Sequence, residues 1–289
     1  MRDSSKTERI KAIKCKEKIA MLTAYDYSLG ALESVNKVDM VLVGDSAHFI
    51  LNGRDTTRGI TIDEMAILAQ RVANGVKKEG NGYSLVVGDL PAGTYDTIDD
   101  AVTNARKLWS AGADAVKLEG GTEKSYLSEM IKAITAQDIP VQGHIGYTPQ
   151  SEDFVDTGRV QGKTEPGIRK LLADYDLLAK AGVFSVVLEC VPWQVSQFIT
   201  EKAEIPTIGI GAGPYCDGQV LVSYDLLSLS TGLPGKPGTF PKFVWQYNLK
   251  APEAIKQYVA DVKSGRMPDL EHSYELKDVE VLEKFRKAL

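Results

Sequence analysis

Residues 185–213 read SVVLECVPWQVSQFITEKAEIPTIGIGAG, and this stretch contains the pattern that decides the fold. Residues 185–190 and 206–213 are short, mainly apolar runs, and the amphipathic residues 192–201 lie between them. A continuous rather than alternating apolar pattern is typical of strands that are covered on both faces, as in a parallel sheet. The stretch therefore predicts a strand, a helix and a second strand parallel to the first.

The same rhythm runs through most of the chain. Further apolar runs cover residues 19–24, 40–44, 84–90, 115–120, 140–146 and, less clearly, 220–222. Helical candidates between the runs include residues 62–78, 97–110, 125–136 and 166–181. Eight strands that alternate with helices predict an α/β protein with the (β/α)8 TIM-barrel fold, which typically needs about 250 residues. Because the eighth run is weak, a doubly wound open sheet is the alternative.

Both ends of the chain lie outside this rhythm. We interpret residues 1–289 as one domain, with a short charged helical segment at 1–18 and a C-terminal extension at 273–289. Leu276, Val279, Leu282 and Phe285 recur at helical spacing in the extension. This spacing predicts an amphipathic helix that packs on the body of the protein or on a neighbouring subunit.

The composition narrows the class of protein. With 43% hydrophobic and 25% charged residues, the chain has a globular composition. Its net charge of −5 argues against nucleic acid or an anionic membrane as a partner, since both favour a basic surface. Three scattered cysteines suit a reducing compartment. The N-terminus lacks the apolar core of a signal peptide, and no apolar run approaches the roughly 18 residues of a membrane span. We therefore expect a cytoplasmic protein that acts on small molecules.

Acidic residues recur where the predicted strands end. Asp45, Asp89, Glu119 and Glu189 end or follow four of the first six strands, and His144 lies near the end of the fifth. In a barrel these ends meet at one mouth, which is where reacting groups gather. Carboxylates held close together repel one another, and oxygen ligands without thiolates favour Mg²⁺ as the ion that relieves the repulsion. A single carboxylate after a strand can also be a helix N-cap, as Asp45 and Ser46 together could be.

Lys117 lies two residues before Glu119, so both side chains point to the same face of one strand. A lysine buried beside carboxylates either binds an anionic substrate or forms a structural ion pair. His144 can similarly be a catalyst or a hydrogen-bonding residue. The glycines of GIGAG (209–213) fit either a phosphate-binding loop or tight backbone packing.

The motifs around these residues are similar to those of the ketopantoate hydroxymethyltransferase family, in order and spacing over about residues 8–274. They are TAYDYS (23–28), VGDS (43–46), GDLP (88–91), VKLEGG (116–121), GHIGYTPQS (143–151), VQGK (160–163), LECVP (188–192), IPTIGIGAGPYCDGQVLV (205–222), PKFV (241–244) and EHSY (271–274).

The resemblance implies a barrel of the phosphoenolpyruvate/pyruvate superfamily, assembled as a homo-oligomer, with decamers in bacterial members. It implies transfer of a one-carbon unit from 5,10-methylenetetrahydrofolate to 3-methyl-2-oxobutanoate, which gives ketopantoate for pantothenate synthesis. By this likeness Asp45 and Asp89 coordinate Mg²⁺ and contact the substrate that chelates it, and Glu119 assists through a water. Ser46 and Lys117 hold the carboxylate of the 2-oxo acid. Glu189 is the catalytic base, and His144 lines the site.

The chain departs from the family pattern at several positions, whereas the implied ligands and base are all present. The departures are Ala47 and His48 in GDSAHF (44–49), Arg58 and Gly59 in TTRGIT (56–61), Ala92 where members have Phe, Tyr224 where they have His, and LSL (227–229) where they have LGL. A paralogue that uses another 2-oxo acid or aldehyde donor is therefore an alternative. A carbon–carbon lyase or mutase of the superfamily is another, although neither Cys190 nor Cys216 lies in the flexible cysteine loop typical of those enzymes. A non-catalytic barrel is a third, against which the intact carboxylates argue.

Overall fold

The computed structural model describes residues 5–288 except 125, 151–155, 157, 231, 234, 235 and 248. Eight parallel strands form a closed barrel in which each strand pairs with its neighbour along the chain and the first pairs with the last. Closure confirms the predicted (β/α)8 fold and excludes the doubly wound sheet, which would leave two open edges. The strands are β1 (Ile19–Thr23), β2 (Met40–Val43), β3 (Leu85–Asp89), β4 (Ala115–Glu119), β5 (Val141–Gly146), β6 (Ser185–Glu189), β7 (Thr207–Ile210) and β8 (Gly218–Leu221).

The weak eighth strand begins two residues earlier than residues 220–222 suggest. It starts at Gly218, where a Cβ atom would lie only 2.5 Å from the carbonyl oxygen of Ile19 on the neighbouring strand. Glycine therefore permits the close approach of β8 to β1, but it contributes nothing to an apolar pattern. At the sixth strand the prediction was one residue too long, since Cys190 lies beyond β6.

Helices connect the strands, and their ends follow ordinary capping chemistry. Thr61 and Glu64 form a reciprocal capping box at the start of the helix predicted at 62–78. Gly182, in the left-handed conformation, ends the helix predicted at 166–181. The helices are α1 (Ser5–Ala12), α2 (Tyr27–Val35), α3 (Ala47–Asn52), α4 (Ile62–Lys78), α5 (Ile98–Ala111), α6 (Leu127–Thr135), α7 (Glu165–Ala181), α8 (Trp193–Lys202), α9 (Ser223–Leu226), α10 (Ala251–Lys263) and α11 (Val279–Ala288).

Alternate residues of each strand pack in two layers. In β2, Met40 and Leu42 point into the barrel interior, whereas Val41 and Val43 pack outward against the helices. The interior is a filled core rather than a pore, as expected for this fold. Ile10 of α1 belongs to the interior cluster and is fully buried. Within the predicted helical segment at 1–18, α1 therefore packs against the barrel interior, and residues 1–4 lie outside the described residues.

The C-terminal extension packs on the body of the protein. Leu276, Leu282 and Phe285 are buried, and the guanidinium of Arg169 on α7 lies over the Phe285 ring at 4.9 Å. Val279, the first residue of α11, is 46% exposed, so it lies outside the buried stripe that the spacing predicted.

A two-stranded antiparallel ribbon, β9 (Gly232–Leu233) and β10 (Lys236–Pro237), follows α9. Among the described residues, no helix combines the length and the apolar character that crossing a membrane requires.

Candidate active site

The carboxyl ends of the strands bring together all five residues that the strand-end pattern singled out. Asp89, Glu119 and Glu189 are the last residues of β3, β4 and β6, Asp45 follows β2, and His144 lies in β5. Four of them, Asp45, Glu119, His144 and Glu189, line one cavity of ≈ 260 Å³, as do Ser46 and Lys117. Asp89 lies directly behind them, fully buried.

Three carboxylates form the acidic part of the site. One oxygen from each of Asp45, Asp89 and Glu119 lies within 4.8 Å of the other two, a spacing that could hold a metal ion. Burial raises the pKa of Asp45, and with the negative charges of Asp89 and Glu119 it reaches about 7. Burial also raises the pKa of Asp89. One oxygen of Asp45, Oδ2, is buried and has no hydrogen-bond partner among the described residues.

Lys117 supplies the positive charge at this end of the barrel. Its Nζ lies 2.8 Å from both oxygens of Asp89 and 3.3 Å from Oε1 of Glu119. Burial alone would lower the pKa of Lys117, but Asp89, Glu119 and Asp45 together raise it above its ordinary value. Lys117 and Glu119 share the interior face of β4, as their two-residue spacing predicted.

His144 connects Glu119 with Glu189. Its Nδ1 lies 3.0 Å from Oε1 of Glu119, and its Nε2 lies 3.3 Å from Oε2 of Glu189 without the alignment of a hydrogen bond. Burial lowers the pKa of His144, but the charge of Glu119 outweighs it and the pKa rises to about 9. The pKa of Glu119 shows the reverse balance, since burial raises it whereas Lys117 and His144 lower it to about 2. The charge of Glu119 therefore favours the protonated form of His144, whose ring lies between the Glu119 and Glu189 side chains.

Ser46 is held by a residue that the strand-end pattern did not single out. The hydroxyl of Tyr25 lies 2.7 Å from Oγ of Ser46, and both side chains are buried. Burial raises the pKa of Tyr25 above its ordinary value, so its hydroxyl keeps its proton. Ser46 occupies the N-cap position of α3, as its sequence context allowed, but it has αR backbone geometry and its side chain makes no capping bond.

Gln150 is a second contributor that sequence reasoning missed. Its backbone N–H donates to Oε2 of Glu119 at 3.0 Å, and its side-chain amide donates to Oδ2 of Asp89 at 3.4 Å. Tyr25 and Gln150 do lie in quoted motifs, TAYDYS and GHIGYTPQS. That motif membership was the only sequence signal for either residue.

All the named departures from the family pattern lie outside the lining of the cavity. The His48 ring faces Gly59, where a Cβ atom would lie 3.3 Å from Nε2, so glycine at 59 leaves room for histidine at 48. Tyr224 is nearer to the site, since its ring packs on Tyr25 with centroids 5.8 Å apart. Tyr224 is therefore two contacts away from Ser46.

The glycines at 209–213 provide close packing rather than an open loop. A Cβ atom at Gly211 would lie 2.6 Å from the Phe243 ring, and one at Gly213 would lie 2.3 Å from Cβ of Trp193. Because side chains already fill this space, the structure favours tight packing over the phosphate-binding interpretation.

The fold and the site define a TIM-barrel protein with an acidic, lysine-bearing cluster at the carboxyl end of its strands. The solved structure of 2,3-dimethylmalate lyase, a PEP mutase/isocitrate lyase superfamily member, has the same fold at 14% identity and a TM-score of 0.56, over 76% of this chain and 81% of that one. The structure of phosphonopyruvate hydrolase complexed with oxalate and Mg²⁺ aligns at 10% identity and a TM-score of 0.53. The alignment covers 98% of this chain and 96% of that one.

Sequence comparison gives the family. A sequence model of ketopantoate hydroxymethyltransferase matches residues 4–270. The 3-methyl-2-oxobutanoate hydroxymethyltransferase of Syntrophomonas wolfei is 44% identical over 276 residues, which cover 94% of this chain and 95% of the relative. The chain belongs to the ketopantoate hydroxymethyltransferase family and is an enzyme, a hydroxymethyltransferase. This membership excludes the non-catalytic barrel and argues against the superfamily lyase.

Proposed function

We propose that the enzyme transfers a hydroxymethyl group from 5,10-methylenetetrahydrofolate to 3-methyl-2-oxobutanoate, in a Mg²⁺-dependent reaction that yields 2-dehydropantoate for pantothenate biosynthesis. The observation that carries the proposal is the convergence of Asp45, Asp89 and Glu119 beside Lys117, with Glu189 lining the same cavity. The name of the 44% identical relative supports the acid substrate and the reaction.

The carboxylates suit Mg²⁺. All three candidate ligands are oxygen donors, and the buried Oδ2 of Asp45 has no hydrogen-bond partner among the described residues. Both oxygens of Glu119 are already engaged, by Lys117 and His144 on one side and Gln150 on the other. Both oxygens of Asp89 are engaged as well, by Lys117, so these contacts do not separate Asp89 from Glu119. Following the family resemblance, we assign Asp45 and Asp89 as direct ligands and Glu119 as a ligand through water. When bound, Mg²⁺ would supply a Lewis acid that makes the C3 proton of the 2-oxo acid more acidic.

The carboxylate of the 2-oxo acid would lie at the floor of the cavity. Lys117 is 3% exposed, and its positive charge lies beside the candidate metal ligands. It could therefore bind the negatively charged carboxylate of a substrate that also contacts the metal ion. Ser46 can donate its hydroxyl proton to the same carboxylate because its oxygen can accept from Tyr25. These contacts would orient the substrate.

Glu189 is the proposed base. Its side chain lines the cavity at 18% exposure and keeps access to a substrate, whereas Asp89 and Glu119 are nearly inaccessible. The imidazolium of His144 would hold Glu189 in place and stabilise its negative charge before proton transfer. A positioned carboxylate of this kind typically contributes about 10²–10⁴-fold to the rate.

The reaction balances with one water molecule. Glu189 takes the C3 proton, the C3 carbanion forms the new carbon–carbon bond to the methylene carbon, and both carbon–nitrogen bonds that hold this carbon in the donor break. Water supplies the oxygen of the new hydroxyl group, and its protons together with that from C3 complete the hydroxyl and the released tetrahydrofolate. The products are therefore 2-dehydropantoate and tetrahydrofolate.

We also propose that the enzyme works as a cytoplasmic homo-oligomer, as the family resemblance implies. Size-exclusion chromatography with light scattering measures the assembly directly.

A product assay tests the proposed reaction. The purified enzyme is given 5,10-methylenetetrahydrofolate and a panel of branched and unbranched 2-oxo acids, with Mg²⁺ or with EDTA. We expect 2-dehydropantoate from 3-methyl-2-oxobutanoate, at a kcat/KM above that for the other acids, and no product with EDTA. A higher kcat/KM for another acid would instead identify the enzyme as a paralogue.

A further inference from the structure

A short segment between α3 and α4 reaches the cavity without belonging to a helix or a strand. It consists of residues 54–58, and all of these residues except Thr57 are exposed. Asp55, Thr56 and Thr57 nevertheless line the cavity that contains Asp45 and Glu119. The segment therefore forms part of the cavity wall that faces solvent.

Thr57 brings a hydroxyl group close to Asp45. Burial raises the pKa of Asp45, and the side chain of Thr57 is among the groups that lower it. Oγ1 of Thr57 and Oδ2 of Asp45 are both buried, and neither has an aligned hydrogen-bond partner among the described residues. Because buried polar groups are usually paired, two neighbouring oxygens without partners indicate a contact that forms in another state of the site.

Glycines at both ends allow the segment to move. Gly53 and Gly59 have left-handed φ angles of 62° and 106°. A Cβ atom at Gly53 would have no described neighbour within 4 Å, and one at Gly59 would meet only the His48 ring. Close packing therefore does not explain these glycines, in contrast to Gly211. Free glycines of this kind suit hinges, where the backbone absorbs a change in φ and ψ.

His48 holds both ends of the segment against α3. Its carbonyl oxygen accepts from the backbone N–H of Arg54 at 3.4 Å, and its ring lies against Gly59. Nδ1 of the same ring lies 3.3 Å from Nδ2 of Asn52. Both His48 and Gly59 depart from the family pattern. Because the ends are anchored and the middle is exposed, movement would be confined to residues 54–58.

We propose that Thr57 is a positioning residue for Asp45, carried by residues 54–58 as a lid that closes about Gly53 and Gly59 when a divalent cation binds. This inference rests on the proposed function, because it takes Asp45 as a ligand of Mg²⁺. In the closed lid, the hydroxyl of Thr57 donates to one oxygen of Asp45 and leaves the other directed at the cation. The loss of such a hydrogen bond typically lowers metal affinity about 10–100-fold.

The first test measures the binding of Mg²⁺ alone by calorimetry. Thr57→Val removes the hydroxyl and keeps the shape of the side chain, whereas Thr57→Ser keeps the hydroxyl. Thr135→Val is the matched control, since it makes the same change at the end of α6, outside the lining of the cavity.

We expect Thr57→Val to raise the Kd for Mg²⁺ about tenfold, equivalent to about 1.4 kcal/mol. Thr57→Ser should stay within about threefold of the wild type, and Thr135→Val should match it. Exchange of the C3 proton with D₂O should be slower in Thr57→Val at low Mg²⁺ and should return to the wild-type rate at saturating Mg²⁺. This recovery is expected because Thr57 acts on the affinity for the cation and not on the base.

The second test measures closure of the lid by limited proteolysis. Arg54 and Arg58 are exposed and give trypsin two cleavage sites within the lid, which mass spectrometry of the fragments identifies. We expect Mg²⁺ to slow cleavage after both arginines in the wild type, and to do so less in Thr57→Val at the same concentration.

A Kd within twofold of the wild type in Thr57→Val, or cleavage of the wild-type lid that Mg²⁺ does not slow, would overturn the inference while leaving the proposed function intact. If the wild-type enzyme bound no Mg²⁺, the proposed Mg²⁺-dependent function would fail, and this inference with it.

Discussion

Nζ of Lys117 lies 2.8 Å from each carboxylate oxygen of Asp89, and neither side chain is more than 4% exposed. This pair connects two adjacent strand ends and offsets part of the repulsion among three carboxylates. A buried pair loses much of its attraction to desolvation, so its presence is weak support for a purely stabilising role. The pair instead lies beside the candidate metal ligands. Its two charges indicate a site that can bind both a cation, through the carboxylate, and an anion, through the lysine.

Removing Lys117 should destabilise the metal-free enzyme. Lys117→Met leaves Asp89 and Glu119 without their nearest cation, and we expect the free energy of unfolding in EDTA to fall by about 3–5 kcal/mol. Because Mg²⁺ can replace the lost positive charge, it should raise the Tm of the variant more than that of the wild type. Thermal unfolding with EDTA and with saturating Mg²⁺ measures both effects.

Lys170→Met is the control for this prediction. Lys170 pairs with Glu123 and Asp174 at 2.6 Å, away from the acidic cluster. Mg²⁺ should give this variant no more stabilisation than it gives the wild type. An equal Mg²⁺ response in the two variants would show that Lys117 does not compensate the metal-binding carboxylates.

Tyr25 should act on substrate binding through Ser46. Tyr25→Phe removes the hydroxyl that lies 2.7 Å from Ser46 Oγ. If this hydroxyl is the donor, as the proposed binding mode requires, the serine proton is then no longer directed toward the substrate. We expect the KM for the 2-oxo acid to rise about three- to tenfold, which corresponds to one hydrogen bond, with little change in kcat. Because both residues act through one contact, the effect of Tyr25→Phe should be much smaller in a Ser46→Ala background.

Tyr224→Phe is the matched control, since it keeps the ring that packs on Tyr25. It should leave both kinetic constants near their wild-type values. If the effects of Tyr25→Phe and Ser46→Ala on KM simply multiplied, the two residues would act independently and the proposed relation between them would be wrong.

Glu33 should make stability depend on pH. This glutamate on α2 is fully buried, neither oxygen has a hydrogen-bond partner among the described residues, and burial together with the charge of Asp26 raises its pKa well above the ordinary value. The folded state therefore keeps a proton that the unfolded chain loses near pH 4.5. Stability from this group is present below that pH and is lost as pH rises toward the folded-state pKa, by up to about 1.4 kcal/mol per pH unit.

Glu33→Met should therefore stabilise the protein, and its advantage over the wild type should grow between pH 5 and pH 7. Urea unfolding at several pH values measures this difference. Glu253→Met removes an exposed glutamate of α10 and is the matched control, for which no growing advantage is expected. A constant difference between wild type and Glu33→Met across this range would contradict a buried, protonated Glu33.

Gly75 should resist the substitution that helix propensity favours. Alanine is preferred to glycine inside a helix by about 1 kcal/mol. At Gly75 of α4, however, a Cβ atom would lie 2.1 Å from the carbonyl oxygen of Tyr27 on α2. We expect Gly75→Ala to lower the free energy of unfolding by about 1–3 kcal/mol. Asn74→Ala, at the exposed neighbouring position, should be neutral or stabilising, and a stabilised Gly75→Ala would contradict the close approach of α2 and α4.

Much of the fold could be predicted because burial on both faces leaves a clear apolar pattern. The runs at 19–24, 40–44, 84–90 and 115–120 each contain a strand of the barrel. The start of β8 could not be predicted in this way, since Gly218 is required by the backbone of Ile19 and carries no apolar side chain. Short elements such as α3 and α9 also lack enough residues for a periodic pattern.

The site residues at the ends of strands could be predicted from the sequence, whereas those on the connections between strands could not. Asp89 and Glu119 follow directly from strand position, because barrel closure brings these ends together. The contacts of Tyr25 with Ser46 and of Gln150 with Glu119 join residues 21 and 31 positions apart. Tyr25, Ser46 and Gln150 all lie on connections that follow strands. Such contacts depend on the exact path of the loops, which neither composition nor periodicity determines.

The most direct test of the central claim is exchange of the C3 proton of 3-methyl-2-oxobutanoate with D₂O, followed by NMR without donor. If carboxylates at the strand ends share one cation that makes this C–H bond labile, exchange requires Mg²⁺, stops with EDTA, and falls at least about 100-fold in Glu189→Gln. Asp45→Asn should require more Mg²⁺ for the same rate. Exchange that continued at the wild-type rate in EDTA or in Glu189→Gln would contradict the account.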